Sequence, residues 1–140
     1  MELEVQARPA PEDVQLVLSG LAEFNERDVG PANRCALTVF LKIEAVVQAG
    51  LVGYTAWNSL HIEKIWVSDH LRGQGIASRL LREAELEAGK RGCGLSWLDT
   101  LNPNAARLYE KLGYKLFGEI PEFIKGRSRR FYLKYLPSLD

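Results

Sequence analysis

Between a strand-like run, His61 to Val67, and an amphipathic run that begins at Ile76 lies Ser68-Asp69-His70-Leu71-Arg72-Gly73-Gln74-Gly75, a polar segment carrying two glycines. This segment constrains the fold more than any other. A strand that passes through a glycine loop directly into a helix aims unpaired backbone N–H groups, and the positive end of the helix dipole, at one point in space, and such a point suits an anion. Gly73 and Gly75 admit a ligand's oxygens where a side chain would hold them off, and Arg72 adds charge at the rim. The helix that follows has Ile76, Leu80, Ala84 and Ala88 on one stripe, widened by Ala77 and Leu81. Its other face is charged, with Arg79 and Glu83, and Glu87 and Arg91, at i,i+4 spacing. Gly89, Gly92 and Gly94 end it, and Leu95 to Thr100 reads as the next strand. Such a strand-helix-strand unit implies a right-handed crossover between parallel strands. The competing reading is a bare turn with no ligand, because short glycine motifs match by chance.

Elsewhere the patterns are equally local. From Pro11 to about Glu26, Val14, Leu18, Leu21 and Ala22 recur at helical spacing, and Pro11 suits a first turn. Ala36 to Ile43 and Val46 to Trp57 read as strands, but Ile43-Glu44-Ala45 between them lacks the Asn-Gly or Asp-Gly that would fix a tight hairpin, so their register stays open. Gly50 and Gly53 predict a bulge or a close backbone approach. An Asn58-Ser59 turn leads into His61 to Val67. Asn102-Pro103 opens a short helix through Leu112, with Asn as N-cap, Pro at the first position and Gly113 closing the end. Tyr114 to Ile120 and Arg129 to Tyr135 finish as strands around a loop containing Pro121 and Gly126. The expected class is α/β (α+β): one domain over residues 1–140, with a mixed central sheet, antiparallel N-terminal strands and a parallel strand-helix-strand core flanked by helices.

Composition narrows what this fold would do. With 46% hydrophobic and 26% charged residues the chain needs neither disulfides nor a metal to hold a core. Its 18 Lys plus Arg balance 18 Asp plus Glu, so no whole-molecule field draws it to nucleic acid or an anionic membrane. The basic cluster Lys125, Arg127, Arg129 and Arg130 reads as a solvated charged strand. No apolar run approaches the roughly 20 residues of a membrane span, and the acidic start Met1-Glu2-Leu3-Glu4 is unlike a secretory leader, so a cytoplasmic protein is expected. Cys35 and Cys93 belong to no metal-ligand spacing and are expected as small buried hydrophobes; no metal is expected. An edge position for Arg129 to Tyr135 would make a homodimer the natural assembly.

Three anion-site patterns compete for the loop. No Lys follows Gly75, which disfavours a P-loop. Gly73-Gln74-Gly75-Ile76-Ala77-Ser78 approaches a dinucleotide fingerprint, with Asp99 where a ribose-binding acid would sit; yet the third glycine is Ser78, and Ser68 to Arg72 separate strand from first glycine. Read instead as Arg-x-x-Gly-x-Ala, Arg72 to Ala77 resembles the pyrophosphate-binding signature of the GNAT superfamily of acyl-CoA-dependent N-acetyltransferases. Ile65-Trp66-Val67 before it resembles that family's splayed strand, and Asn102-Pro103-Asn104-Ala105-Ala106-Arg107-Leu108-Tyr109-Glu110-Lys111-Leu112-Gly113-Tyr114 resembles its second motif.

The resemblance implies transfer of an acetyl group from acetyl-CoA to a small-molecule or peptide amine by direct attack; no activated Cys or Ser offers a covalent route. It implies that the backbone of Trp66 and Val67 pairs with the pantetheine arm, that the amides of Arg72, Gly73, Gln74, Gly75, Ile76 and Ala77 take the pyrophosphate, and that Asn102 contacts the cofactor. Tyr109 would protonate the departing thiolate. Glu63 and Asp99 are the acids nearest the expected reaction centre, and His61 has the intrinsic pKa best suited to deprotonating the amine. A non-catalytic acyl-CoA-binding or regulatory module on the same fold is the alternative.

Overall fold

The computed structural model describes residues 1–137, which form two compact units, Met1–Asn33 and the chain from Arg34 onward. The first holds helix α1, Pro11–Val29, with Pro at its start, Glu12 and Asp13 in the first turn and Arg27 in the last. It runs a turn past the Glu26 end that periodicity suggests, stopping at Gly30, whose positive φ of 91° lets its N–H reach Glu26 O.

The second unit is a six-stranded mixed sheet. Its elements are β1 (Cys35–Ile43), β2 (Val46–Ala56), β3 (Ser59–Val67), a 3-10 turn at Asp69–Leu71, α2 (Ile76–Lys90), β4 (Leu95–Thr100), α3 (Pro103–Lys111), β5 (Lys115–Ile124) and β6 (Arg127–Tyr135). The strand order is β1-β2-β3-β4-β6-β5, with β3 and β4 parallel and the other pairs antiparallel. The expected class is therefore the observed one.

Both hairpins among the first three strands close through two residues at positive φ: Glu44 (49°) with Ala45 (65°), and Trp57 (47°) with Asn58 (56°). Two-residue loops that follow the strands' right-handed twist need this geometry. Asn58 adopts it readily, whereas strand pairing imposes it on Glu44, Ala45 and Trp57 at about 1 kcal/mol or more each. Two bulges then reset the register. Gln48 is passed over between Ala49 and Val47 in the pairing with β1, and Glu63 is passed over between Ile62 and Lys64 in the pairing with β2. Gly53 sits opposite the second bulge, where a Cβ would lie 2.3 Å from His61 O.

The α2 stripe is buried through Ile76, Leu80, Leu81, Ala84 and Ala88, in one cluster with Leu37 of β1, Ala49 and Leu51 of β2, and Leu60 and Ile62 of β3. At about 2 kcal/mol for each fully buried Leu or Ile, this layer supplies much of the fold's driving force. Farther along, Tyr114 Oη donates to Glu85 Oε2 (3.0 Å) beside Ser96 Oγ (2.8 Å), and Lys134 Nζ donates to Glu85 Oε1 (2.7 Å), tying α2 to β4 and β6. Tyr132 Oη donates to Glu110 Oε1 (2.9 Å), which pins α3 over the sheet.

Three expectations change. Arg129 to Tyr135 is not an edge, because β6 is paired on both sides; β1 and β5 are the edges, so the premise for a β6-mediated dimer falls. Pro121 is inside β5 rather than in the loop, within the irregular stretch between Ile120 and Ile124, as an edge strand tolerates. Cys93 is buried but Cys35 is exposed at the start of β1. Among the described residues no helix is long and apolar enough to cross a membrane, and no His/Cys/Asp/Glu cluster could hold a metal.

Candidate active site

The glycine loop delivers the chain into α2 with its N-terminus uncapped. Gly75, the N-cap, is left-handed at φ 75°; among the described residues no side chain caps the first turn, and no acid lies in it. The first intrahelical bond there runs from Arg79 N to Gly75 O, so the amides of the opening turn are free for an anion. Gly73 is also left-handed (φ 77°), and a Cβ on either glycine would project into open space. Both glycines line a cleft of about 510 Å³, walled also by Val67, Arg72, Ile76 and Ala77 from the loop side and by Leu108 and Lys111 of α3 from the other. Arg72 is partly committed: Nε donates to Val67 O (3.1 Å) and Nη1 pairs with Asp69 Oδ1 (2.9 Å), so it braces the loop as well as charging it.

One wall of the cleft is the end of β3. The parallel pairing of β3 with β4 stops after Ser59↔Leu95, Leu60↔Ser96 and His61↔Trp97. Beyond it β3 continues to Val67 while β4 stays paired with β6 through Thr100, so the two strands part and, among the described residues, the β4-facing edge of β3 from Ile62 onward has no ladder partner. Unpaired strand edge is what an extended amide-bearing ligand needs.

At the apex of this opening lies His61. Its ring stacks on Trp97, centroids 3.7 Å apart and planes within 2°, and Nδ1 lies 3.3 Å from Tyr54 Oη. Burial lowers its pKa below the ordinary 6.5 against the opposing pull of Glu63 and Asp99, with Arg34 lowering it further, which favours the neutral imidazole. Asp99 accepts from Arg129 Nε at 2.7 Å, and the Arg129 guanidinium lies 5.2 Å and 5.5 Å from the Phe123 and Phe131 ring centroids. Tyr109, on the inner face of α3, is buried against Tyr114 and Tyr132 at centroid distances of 6.1 Å and 6.2 Å. Burial, and secondarily the Asp99 carboxylate, push its phenol up to about 12. The carboxylate of Asp99 thus acts on both groups, raising the pKa of Tyr109 and opposing the fall in that of His61.

Comparison with known proteins decides the family. Residues 35–116 match the GNAT acetyltransferase domain. An acetyltransferase of Agrobacterium fabrum is 41% identical over 113 residues, 81% of this chain and 80% of that protein. The chain belongs to the GNAT acetyltransferases. Blasticidin-S acetyltransferase of Streptomyces morookaense is 36% identical over 88 residues, 62% of this chain and 65% of that one. A crystal structure from Agrobacterium tumefaciens, assigned to the acetyltransferases, superimposes with a TM-score of 0.93 at 32% identity, covering 97% of this chain and all of that one. The chain is therefore an acyltransferase enzyme, which sets aside the dinucleotide-binding and non-catalytic readings.

In this GNAT acetyltransferase, six of the residues expected at the cofactor, Val67, Arg72, Gly73, Gly75, Ile76 and Ala77, line one cleft. Gln74 turns its Nε2 to His70 O (3.3 Å), and Trp66 is half exposed on the parted end of β3. Asn102 accepts from Asn104 N (2.8 Å) and Ala105 N (3.4 Å), so its N-cap role is filled, and it lines a separate hollow with Thr100 and Arg127. Glu63 is the bulged, exposed residue of β3, and Asp99 is ion-paired. Lys111, Leu108 and Ser78 were missed as cleft residues; the helical spacing of Leu108 and Lys111 is the signal that could have found them.

Proposed function

We propose that the chain is one N-acetyltransferase domain that moves an acetyl group from acetyl-CoA to the primary amine of a small-molecule or peptide acceptor, in the cytoplasm. The observation that carries this is the parting of β3 from β4 beside the uncapped start of α2, which joins a strand edge for pantetheine to an anion site for pyrophosphate. The amides from Arg72 to Ala77 take the pyrophosphate, with Lys111 across the cleft, and the backbone of Trp66 and Val67 meets the pantetheine arm. The unpaired thiols Cys35 and Cys93 accord with a reducing compartment. A small amine is the acceptor favoured here, since a relative is named for blasticidin S.

The chemistry assigned to the residues is direct. The neutral amine attacks the thioester carbonyl, forming the C–N bond; the nitrogen's proton passes to Nε2 of His61, and the C–S bond breaks to release the thiolate. Glu63 and Asp99 serve by stabilising the imidazolium so formed, as their effect on His61 supports. Tyr109 meets the thiolate with its hydroxyl.

Thermal unfolding in the presence of acetyl-CoA, coenzyme A and NAD tests the reading. Ligand at about 100 times its dissociation constant adds roughly 2.7 kcal/mol, which for a chain of this size raises Tm by several degrees. The rise is expected with acetyl-CoA and coenzyme A and not with NAD; a rise with NAD alone would defeat the assignment.

A further inference from the structure

His61 has its surroundings fixed on several sides by residues that no motif supplies. Trp97 covers one face of the ring. Tyr54, its register partner across β2 and β3, meets it edge-on at a centroid distance of 5.4 Å and offers Oη to Nδ1. Tyr54 is itself held, because the Arg34 guanidinium carbon lies 3.5 Å from its ring centroid. The two nitrogens of an imidazole point in divergent directions, so turning Nδ1 onto Tyr54 sends Nε2 to the far side of the ring. Among the described residues no hydrogen bond reaches Nε2.

We propose that Tyr54 is a positioning residue: its hydroxyl oxygen accepts the Nδ1 proton of His61, fixing the tautomer that leaves the Nε2 lone pair free for the acceptor amine. The inference rests on His61 being the base. A phenol oxygen can donate or accept, and only one choice suits a base that cycles. When Nε2 takes a proton the ring becomes a cation that donates from both nitrogens, and Nδ1 then needs an acceptor. With Tyr54 already accepting, neutral and charged rings keep the same bond and nothing has to rotate as the proton arrives. With Tyr54 donating instead, Nε2 would carry the proton and be useless as a base. The charges facing the ring are Glu63 on its own strand and Asp99 on β4, which favour the cation, and Arg34 ahead of β1, which opposes it; Asp99 is in turn bound by Arg129 of β6.

The test is nitrogen NMR of protein labelled at histidine, titrated from acid to alkaline pH without substrate, with His61 and His70 told apart by His61→Gln. Above its titration, wild-type His61 is expected to show a protonated Nδ1 and an unprotonated Nε2. Tyr54→Phe keeps the ring under Arg34 but removes the oxygen; it should return population to the Nε2–H tautomer, move the titration to lower pH and cut kcat about tenfold with the acceptor KM unchanged, the scale typical of an outer partner that orients an imidazole. A wild-type Nε2–H tautomer, or a kcat and tautomer indifferent to Tyr54→Phe, would overturn the proposal. Because the tautomer is read without turnover, a wild-type protein with the expected tautomer and no acetyl transfer would count against the catalytic reading instead.

Discussion

Replacing Tyr109 with phenylalanine is expected to lower kcat about a hundredfold while leaving coenzyme A affinity nearly unchanged. The substitution removes one oxygen and keeps the ring that packs on Tyr114 and Tyr132. The size of the effect follows from what this hydroxyl can do. With its pKa pushed up to about 12, the phenol keeps its proton at every physiological pH. A coenzyme thiol titrates near roughly 8.5, so complete transfer from such a phenol to the thiolate is uphill by about 5 kcal/mol. We propose that Tyr109 acts on the thiolate through a hydrogen bond that strengthens as charge gathers on sulfur rather than through complete proton transfer, and deleting a donor of that kind typically costs a hundredfold or more in kcat. Steady-state thiol release with a calorimetric coenzyme A titration separates the two quantities. Equal losses in both would make Tyr109 a binding residue.

Gly53→Ala is expected to destabilise the fold by about 3 kcal/mol and to lower Tm by roughly 10 °C. A Cβ there would stand 2.3 Å from His61 O and 3.2 Å from Ile62 Cα, and both obstacles are backbone in the middle of the sheet, where neither can swing aside. The same displacement would carry His61 off its stack with Trp97, so turnover should fall beyond what lost stability explains. Gly20→Ala supplies the contrast: within its own unit no described atom beyond the helix's own backbone lies within 4 Å of a Cβ there, and the exchange should stabilise by up to about 1 kcal/mol. Urea and thermal denaturation of the pair measure the difference, and equal effects would contradict the close approach of β2 to β3.

Much of this molecule was legible because its strongest signals are local. The α2 stripe, the Asn102 cap with Pro103 behind it, the Gly113 stop and the two glycines ahead of Ile76 each state their structure within a few residues, and all were found where expected. What escaped reading depends on partners far away in sequence. Glu44-Ala45 turns tightly because paired strands force it to, not because these residues favour positive φ, and the turn read at Asn58-Ser59 falls one residue earlier, drawing in Trp57. Gly53 announced a bulge or a close approach, but only the register shows that Glu63 is the residue passed over. At the site, the Tyr54–His61–Trp97 group needs β2, β3 and β4 side by side, and the pairing of Asp99 with Arg129 needs β6 next to β4. Sequence supplied the candidate acids and base, and packing alone distinguished an exposed bulged Glu63 and an ion-paired Asp99 from a half-buried neutral His61.

The most direct test is to incubate the protein with acetyl-CoA and a panel of primary amines, following free thiol by a colour reagent and the acetylated amine by mass spectrometry. The account predicts thiol released only when an amine is present, with one acetyl amide formed for each thiol. Thiol release that needs no amine, or bound acetyl-CoA that passes its acetyl group to none of them, would contradict it.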